Sequence, residues 1–413
     1  MELYPQIDKR PAVSALPVAL ASAVEPITVL ALFGTRPEAI KLAPVIGELE
    51  ARGDRFRTVN VNSGQHTSLL QPFIDLFSIR IDHDLGVMEP NQSPSGVCAR
   101  VLTALDPILV GVKPDLILVQ GDTTTALAGA LAGFHRGIPV GHVEAGLRSG
   151  NIQSPFPEEM NRRLISQVAS WHFAATEHNR ASLLAEGIGD TAIFVTGNPV
   201  VDSLQRIVSS TEGGSALKAT IDGLAGLKLI VLTTHRRESL GPAMEENLRV
   251  LREFVENHSD VALAFPVHLN PSVGNAARSI LDGHERIKLL PPLGYPEFLA
   301  LLANAWLIVS DSGGVQEEAP SLGKPLLVLR ENTERPEALQ AGVARLVGGQ
   351  ADNLARLLNE VYESPEWIDA VREVPNPFGV GDSGARIVDA VENIMARRLT
   401  PNEGVEAVGA VAG

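Results

Sequence analysis

The chain has 413 residues, 45% of them hydrophobic and 20% charged, which is ordinary globular composition and more than one domain usually holds. A net charge of −15 repels phosphate backbones and disfavours wholesale nucleic-acid binding unless positive charge is gathered locally. The single cysteine, Cys98, excludes an intrachain disulfide and a cysteine-rich metal site, and fits a reducing compartment such as the cytoplasm.

Residues 1–25 read as a flexible N-terminal extension. The apolar stretch from Ala12 to Val24 is broken by Pro17 and is shorter than a bilayer span, so no membrane partner is expected. From Ile27, short β-branched runs alternate with longer helical ones: ITVLALF before EAIKLAPVIGELEAR, DLILVQ before TTALAGALAGFHR, IPVGHVEA before EEMNRRLISQVAS, then WHFAATEH, a helix and AIFVTGNP. The pattern closes near residue 200 and restarts with LKLIVLTTH, VALAFPVH, IKLLPPL, WLIVSDS and PLLVLRE, each followed by a helix. Such alternation predicts parallel sheets covered by helices. The fold class is therefore α/β, with two doubly wound Rossmann-like domains (26–200 and 201–383) facing across a cleft, and a small-residue tail (399–413) that reads as disordered. In such folds ligands sit beyond the carboxyl ends of the strands, so residues just after strands are the candidates.

Four constellations occupy those positions. GTRPEAIKLAP places Arg36 and Lys41 at a helix start after the first strand, where they can face a phosphate; the bland alternative is a solvated turn. SDSGGVQEEAPSLGKP puts Ser312, Gly313 and Gly314 at another helix start, whose backbone N–H groups cradle phosphate without a metal. Glu317 and Glu318 follow in what reads as the first turn: Glu317 as a complement to the helix dipole, Glu318 as a ligand for ribose hydroxyls. LTTHRRES brings His235, Arg236 and Arg237 to the cleft edge, with His235 placed to meet a diphosphate or donate a proton, and Arg335 adds a cation after a later strand.

The fourth set is acidic: Asp122 in QGDTTTAL, Glu144 in HVEAGLRS and Glu158 in PFPEEMNRR. Converging on one cleft beside a diphosphate, these carboxyls would have raised pKa values and suit acid–base work near neutral pH. Each has a structural alternative: Asp122 as a helix N-cap, Glu144 paired with His142 or Arg148, Glu158 paired with Arg162 four residues on. His135, His172 and His258 read as solvated or structurally satisfied residues. No HExxH, paired CxxC or clustered Asp pattern supports a metal site, and no GxGxxG follows the first strand, so neither a metal nor NAD is expected.

Taken in order, GTRPEAIK, QGDTTT, HVEAGLR, PEEMNR, THRRE, PVHLNP and SDSGGVQEEAPSLGKP closely resemble the non-hydrolysing UDP-N-acetylglucosamine 2-epimerases over about residues 26–398. The resemblance implies the two-domain architecture of the GT-B glycosyltransferases, with the last helix (384–398) returning to the first domain. It implies a homodimer that interconverts UDP-GlcNAc and UDP-ManNAc for surface polysaccharides, without cofactor, through loss of UDP and a 2-acetamidoglucal intermediate. It carries over Arg36, Ser312, Gly313, Gly314 and Arg335, with His235, to the diphosphate, Glu318 to the ribose, and Phe298 to the neighbourhood of uracil. Lys41, Asp122, Glu144 and Glu158 fall on the sugar side. It also implies a second, activating UDP-GlcNAc site matched by Gln65, Gln92, Arg236 and His268, although Ser68 and Asn91 stand where a longer polar side chain and an arginine are common. Epimerases of a 2,3-diacetamido sugar nucleotide, hydrolysing epimerases and GT-B glycosyltransferases are the competing readings.

Overall fold

The computed structural model describes residues 25–65, 67–90, 92–210, 215–234 and 241–399. The first sheet has seven parallel strands: β1 (Ile27–Phe33), β2 (Phe56–Asn62), β3 (His83–Asp84), β4 (Leu116–Gln120), β5 (Val140–Ala145), β6 (Trp171–Ala174) and β7 (Ile193–Val195). The second has six: β8 (Lys228–Thr233), β9 (Val261–Pro266), β10 (Ile287–Leu290), β11 (Leu307–Ser310), β12 (Leu326–Val328) and β13 (Ala344–Leu346). The spatial orders are β3-β2-β1-β4-β5-β6-β7 and β10-β9-β8-β11-β12-β13, so both sheets reverse direction beside their first strand. The crevices in which such sheets bind ligands thus open after β1 and β4, and after β8 and β11.

Strand periodicity sorts the core. Along β1, Val29, Ala31 and Phe33 face one helical layer while Leu30 and Leu32 face the other. In the second sheet Leu229 and Val231 belong to the same core as Val29, whereas Ile230 and Leu232 face away. That shared core is continuous because the helix Pro199–Ser210 runs between the sheets, burying Val200, Val201, Leu204 and Ile207. β2, β3 and β13 escape a reading by hydrophobic runs. β2 (FRTVNVN) is diluted by polar residues, yet of its seven only Arg57 is exposed; the Asn60 amide donates to Glu50 (3.3 Å) and the Asn62 amide to Asp84 (2.9 Å) of the next strand. β3 and β13 are edge strands of two and three residues.

The helix Pro94–Val112 is long and apolar enough to cross a bilayer. Its residues Val97, Val101, Leu105 and Leu109, one turn apart, are buried against the first sheet with Val119 and Ala128.

The chain passes between the domains twice, at Gly197–Asn198 and at Phe378–Gly379, and the two passages are joined by a hydrogen bond from Asn198 N to Phe378 O (2.7 Å). After the second, the helix Ser383–Leu399 packs on the first-domain helix Arg36–Ala51. Asp202 accepts from Ser383 N (3.2 Å) and Gly384 N (2.9 Å), satisfying the helix start, and Arg52 pairs with Asp389 (2.6 Å) and Glu392 (3.3 Å). Gly384 lies so close that a Cβ there would stand 2.8 Å from the Pro44 carbonyl oxygen, a backbone atom that cannot swing aside. Gly384→Ala is therefore expected to cost about 1–3 kcal/mol, read as a lower midpoint of thermal unfolding, while Gly47→Ala, where a Cβ meets nothing within 4 Å, leaves it unchanged or raises it.

Candidate active site

The β1 loop folds around a carboxylate. Glu38 accepts from Gly34 N (3.0 Å), Thr35 N (2.8 Å) and Thr35 Oγ1 (2.8 Å), and across the sheet crevice from Thr123 Oγ1 (2.6 Å) in the β4 loop. Thr35 is the N-cap and Glu38 the third helical residue, a capping box whose acid is completely buried. Burial pushes the Glu38 carboxyl up to about 7 against the pull of those donors. Gly34 has no room for a side chain, since a Cβ would stand 1.8 Å from Ser63 Oγ. Arg36, the first helical residue, is left exposed with its guanidinium 5.9 Å from the Phe73 ring centre and makes no ion pair among the described residues.

The acidic set comes together differently from its structural alternatives. Glu144, the last residue but one of β5, has φ +62°, a left-handed conformation that costs a non-glycine residue about 1–3 kcal/mol and is held by its surroundings. Those surroundings are not His142 or Arg148, which bond to Gly121 O (2.7 Å) and Glu186 (2.6 Å). Lys41 and Asn198 (3.0 Å) donate to Glu144 Oε1, and Gln120 donates to Oε2. Burial raises the Glu144 carboxyl, with the Lys41 charge opposing. Asp122 is not the N-cap of the following helix; Thr123 is, accepting from Ala126 N (3.0 Å). Instead Asp122 receives Arg162, which also pairs with Glu159 (3.2 Å), so the anticipated Glu158–Arg162 pair is replaced because Glu159, not Glu158, is turned inward. Glu158 is the first, half-buried residue of its helix.

Lys41 also reaches the second domain, where Glu317 Oε2 lies 3.0 Å from its Nζ. Glu317 does not complement a helix dipole: it is the fifth residue of the helix Gly313–Ser321, past the first turn, completely enclosed, and pairs with Arg335 (2.5 Å). Burial would raise its carboxyl, but Arg335 and Lys41 hold it below the usual range. Arg335 is correspondingly no exposed loop charge, being buried between Glu317 and Glu334 (2.6 Å).

At the head of the same helix, Ser312 is the N-cap but its side chain caps nothing, leaving the Gly313–Gly314 end open as an anion seat. Glu318 is buried and accepts from Tyr295 Oη (2.8 Å), and Tyr295 meets the first-domain Phe73 with ring centres 5.5 Å apart. Phe298 is half-buried against the core. In the candidate second site Gln92 donates to Gln65 O (3.3 Å) and Thr125 to Gln65 Oε1 (2.7 Å), while exposed His268 accepts from Asn270 N (3.1 Å) beside a cavity of about 480 Å3. His235, Arg236, Arg237 and Asn91 lie outside the described residues, as do residues 1–24 and 400–413.

Glu38, Gln120, Asn198 and Tyr295 were not singled out from the sequence, and Arg162 was read only as a partner of Glu158. For Glu38 a signal existed, Thr-x-x-Glu before an apolar run; the others follow from contacts between residues far apart in the chain.

Two doubly wound domains that present a guanidinium, buried carboxylates and an open glycine-led helix start to one cleft define a GT-B-type enzyme of nucleotide sugars. The model of the UDP-N-acetylglucosamine 2-epimerase family matches residues 48–392. The UDP-N-acetylglucosamine 2-epimerases of Escherichia coli K12 and Salmonella typhimurium are 44% and 45% identical over 370 and 371 residues, in each case 88% of this chain and 98% of the relative. Among solved structures, the UDP-GlcNAc 2-epimerase of Neisseria meningitidis bound to UDP-GlcNAc superposes with a TM-score of 0.83 at 40% identity, covering 89% of this chain and 100% of that one. The Methanocaldococcus jannaschii enzyme in complex with UDP-GlcNAc and UDP gives 0.75 at 34%, with the same coverage. The chain belongs to the UDP-N-acetylglucosamine 2-epimerase family and is an epimerase.

Two predictions follow from the β1 loop. Because Arg36 is exposed and makes no ion pair among the described residues, Arg36→Ala is expected to leave the unfolding midpoint within a degree or two while lowering kcat/KM about 100-fold or more, the size of losing one preorganised charge contact. Glu38 carries a folded pKa raised from 4.5 to about 7. Below pH 4.5 both states are protonated and nothing is contributed. As pH rises to 7 the unfolded chain gives up a proton that the folded chain keeps, so stability falls, and the full cost of about 3 kcal/mol persists above. Unfolding free energies at pH 4.5 to 8 should show this decline in the wild type relative to Glu38→Gln; parallel curves would mean that the carboxylate stays ionised throughout.

Proposed function

We propose that the chain interconverts UDP-GlcNAc and UDP-ManNAc by anti or syn loss of UDP across C1–C2 and its return. A carboxylate takes the C2 proton, the C2–H electron pair becomes the C1–C2 double bond of 2-acetamidoglucal, and the C1–O bond breaks with its electrons to UDP. Re-addition of UDP at C1 with protonation of the opposite face of C2 gives the epimer. The observation that carries this reading is Glu144: a buried carboxyl of raised pKa, held in a left-handed conformation and joined through one lysine to the helix whose open start suits a diphosphate. A buried proton acceptor of raised basicity beside a seat for the leaving group is what elimination demands.

In this reading Arg36, Ser312, Gly313 and Gly314, with His235, hold the diphosphate and meet the charge that grows on it as UDP departs. Arg335, with Nε and Nη1 occupied by carboxylates, supports this seat from behind. Glu318 takes the ribose, its orientation set by Tyr295, and Phe298 lies beside uracil. Lys41, Asp122, Glu144 and Glu158 line the sugar. Asp122, tied to Arg162, and Glu144 sit in unlike environments, which suits a reaction that must serve two faces of C2. Gln65, Gln92, Arg236 and His268 form an activating UDP-GlcNAc site. The functional unit is a cytoplasmic homodimer supplying precursors of surface polysaccharides, its protomer divided at 26–200 and 201–383 with 384–398 packed on the first domain.

The test is proton NMR of the chelator-treated protein with UDP-GlcNAc in heavy water. UDP-ManNAc carrying deuterium at C2, with no free sugar, is the expected result; free ManNAc would assign hydrolysis instead. Glu144→Gln should lower kcat by about 100- to 10,000-fold, the usual range for a lost acid–base group, with a smaller change in KM.

A further inference from the structure

Lys41 is the single described residue of the first domain whose ammonium is shared between a carboxylate of its own domain, Glu144, and one of the other, Glu317. All three are buried, and the chain of charge continues through Arg335 to Glu334 and Arg330, the last pair 2.8 Å apart. Resting on the epimerase reading above, we propose that Glu317 is a positioning residue of the reaction: it reaches across the cleft to hold Lys41 against Glu144, so that this pair takes its working geometry only when the two domains are together.

Consider the two domains apart. Lys41 then has Glu144 as its sole described carboxylate, with water admitted to both, and the pair is an ordinary ion pair in which the ammonium favours an ionised Glu144. Bringing the second domain up does two things at once. It removes water from Glu144, and it sets a second negative charge at Lys41, which must divide its attraction between two carboxylates. Both changes raise the proton affinity of Glu144. The groups that face Glu144 are Lys41, Gln120 and Asn198 from the first domain and its hinge, and Glu317 and Arg335 from the second; burial is the largest influence, Lys41 and Arg335 lower its pKa and Glu317 raises it. Glu317 can perform this task because Arg335 keeps it ionised in a place where a lone carboxyl would protonate. Docking of the second domain therefore leaves Glu144 with a higher proton affinity than the solvated Lys41–Glu144 pair would have.

The experiment compares wild type, Glu317→Gln and Glu317→Asp in C2 exchange from UDP-GlcNAc in heavy water, measured as kcat and KM from pH 5 to 9. The limb of the kcat profile controlled by Glu144 is identified as the one that Glu144→Gln abolishes. Glu317→Gln should move that limb to lower pH by about one unit, a tenfold change in proton affinity, and lower kcat at least tenfold with a lesser effect on KM; Glu317→Asp should return the limb toward its wild-type position. A uniform loss of activity with an unmoved limb in Glu317→Gln, or an Asp variant that shifts as far as the Gln variant, would overturn the proposal. If Glu317→Gln does not fold, the Asp variant decides alone: its limb must lie within half a unit of wild type while kcat falls. Failure of the wild type to exchange C2 would refute the epimerase reading itself, a result distinct from an unmoved limb.

Discussion

A lysine ammonium enclosed between two carboxylates, one from each domain, is the contact on which the rest of this structure depends. Stripping an ion of water costs several kcal/mol, and removing one member of a buried pair leaves the other uncompensated at a cost of about 3–5 kcal/mol. Lys41, Glu144, Glu317 and Arg335 each sit where no solvent can relieve such an imbalance, so the four must be assembled together. The apolar core shared by the two sheets brings the domains close; the charges decide the register in which they meet. Tyr295 against Phe73, and Glu337 accepting from Thr176 and Asn179 (3.4 Å), set further points of the same contact.

The two crevices are prepared by backbone geometry before any substrate arrives. On the first-domain side Glu38 ties the β1 loop to the β4 loop, so Arg36 and Asp122 are held by one buried carboxyl rather than by two independent turns. Asn161 fastens Asp122 O (2.9 Å) and His142 fastens Gly121 O, the latter a buried imidazole whose pKa is driven down to about 3 by burial and which therefore serves as a neutral strut. On the second-domain side the helix Gly313–Ser321 begins with an end that no side chain caps, so its dipole and first N–H groups are left for an anion.

The alternation of β-branched runs and helical segments made both sheets legible, and the residues immediately after β1, β4, β5, β8 and β11 were legible as candidates because doubly wound folds leave ligands nowhere else to go. What eluded the sequence has specific physical causes. β2 carries two buried asparagines whose side-chain amides donate to carboxylates outside the strand, Asn60 to Glu50 and Asn62 to Asp84, so they find partners only once the fold exists. Glu317 and Glu318 sit side by side, and their roles turn on where the helix begins: with Gly313 as the first residue, Glu317 points to Lys41 and Glu318 to Tyr295. Arg162 chose Glu159 and Asp122 over Glu158 because the helix buries the face bearing Glu159, a fact set by tertiary packing and not by spacing along the helix. Asn198 and Gln120 carry no motif; they matter because three strands end around one carboxylate.

Asn198 also has a mechanical meaning. Its main chain bonds to Phe378 where the polypeptide crosses between the domains in both directions, and its side chain donates to Glu144. One hydrogen bond thus fastens the two crossings to each other, so that the link leaving the first domain also fixes the link that returns to it. The Asn198 side chain joins the paired crossings directly to the buried Glu144 carboxyl.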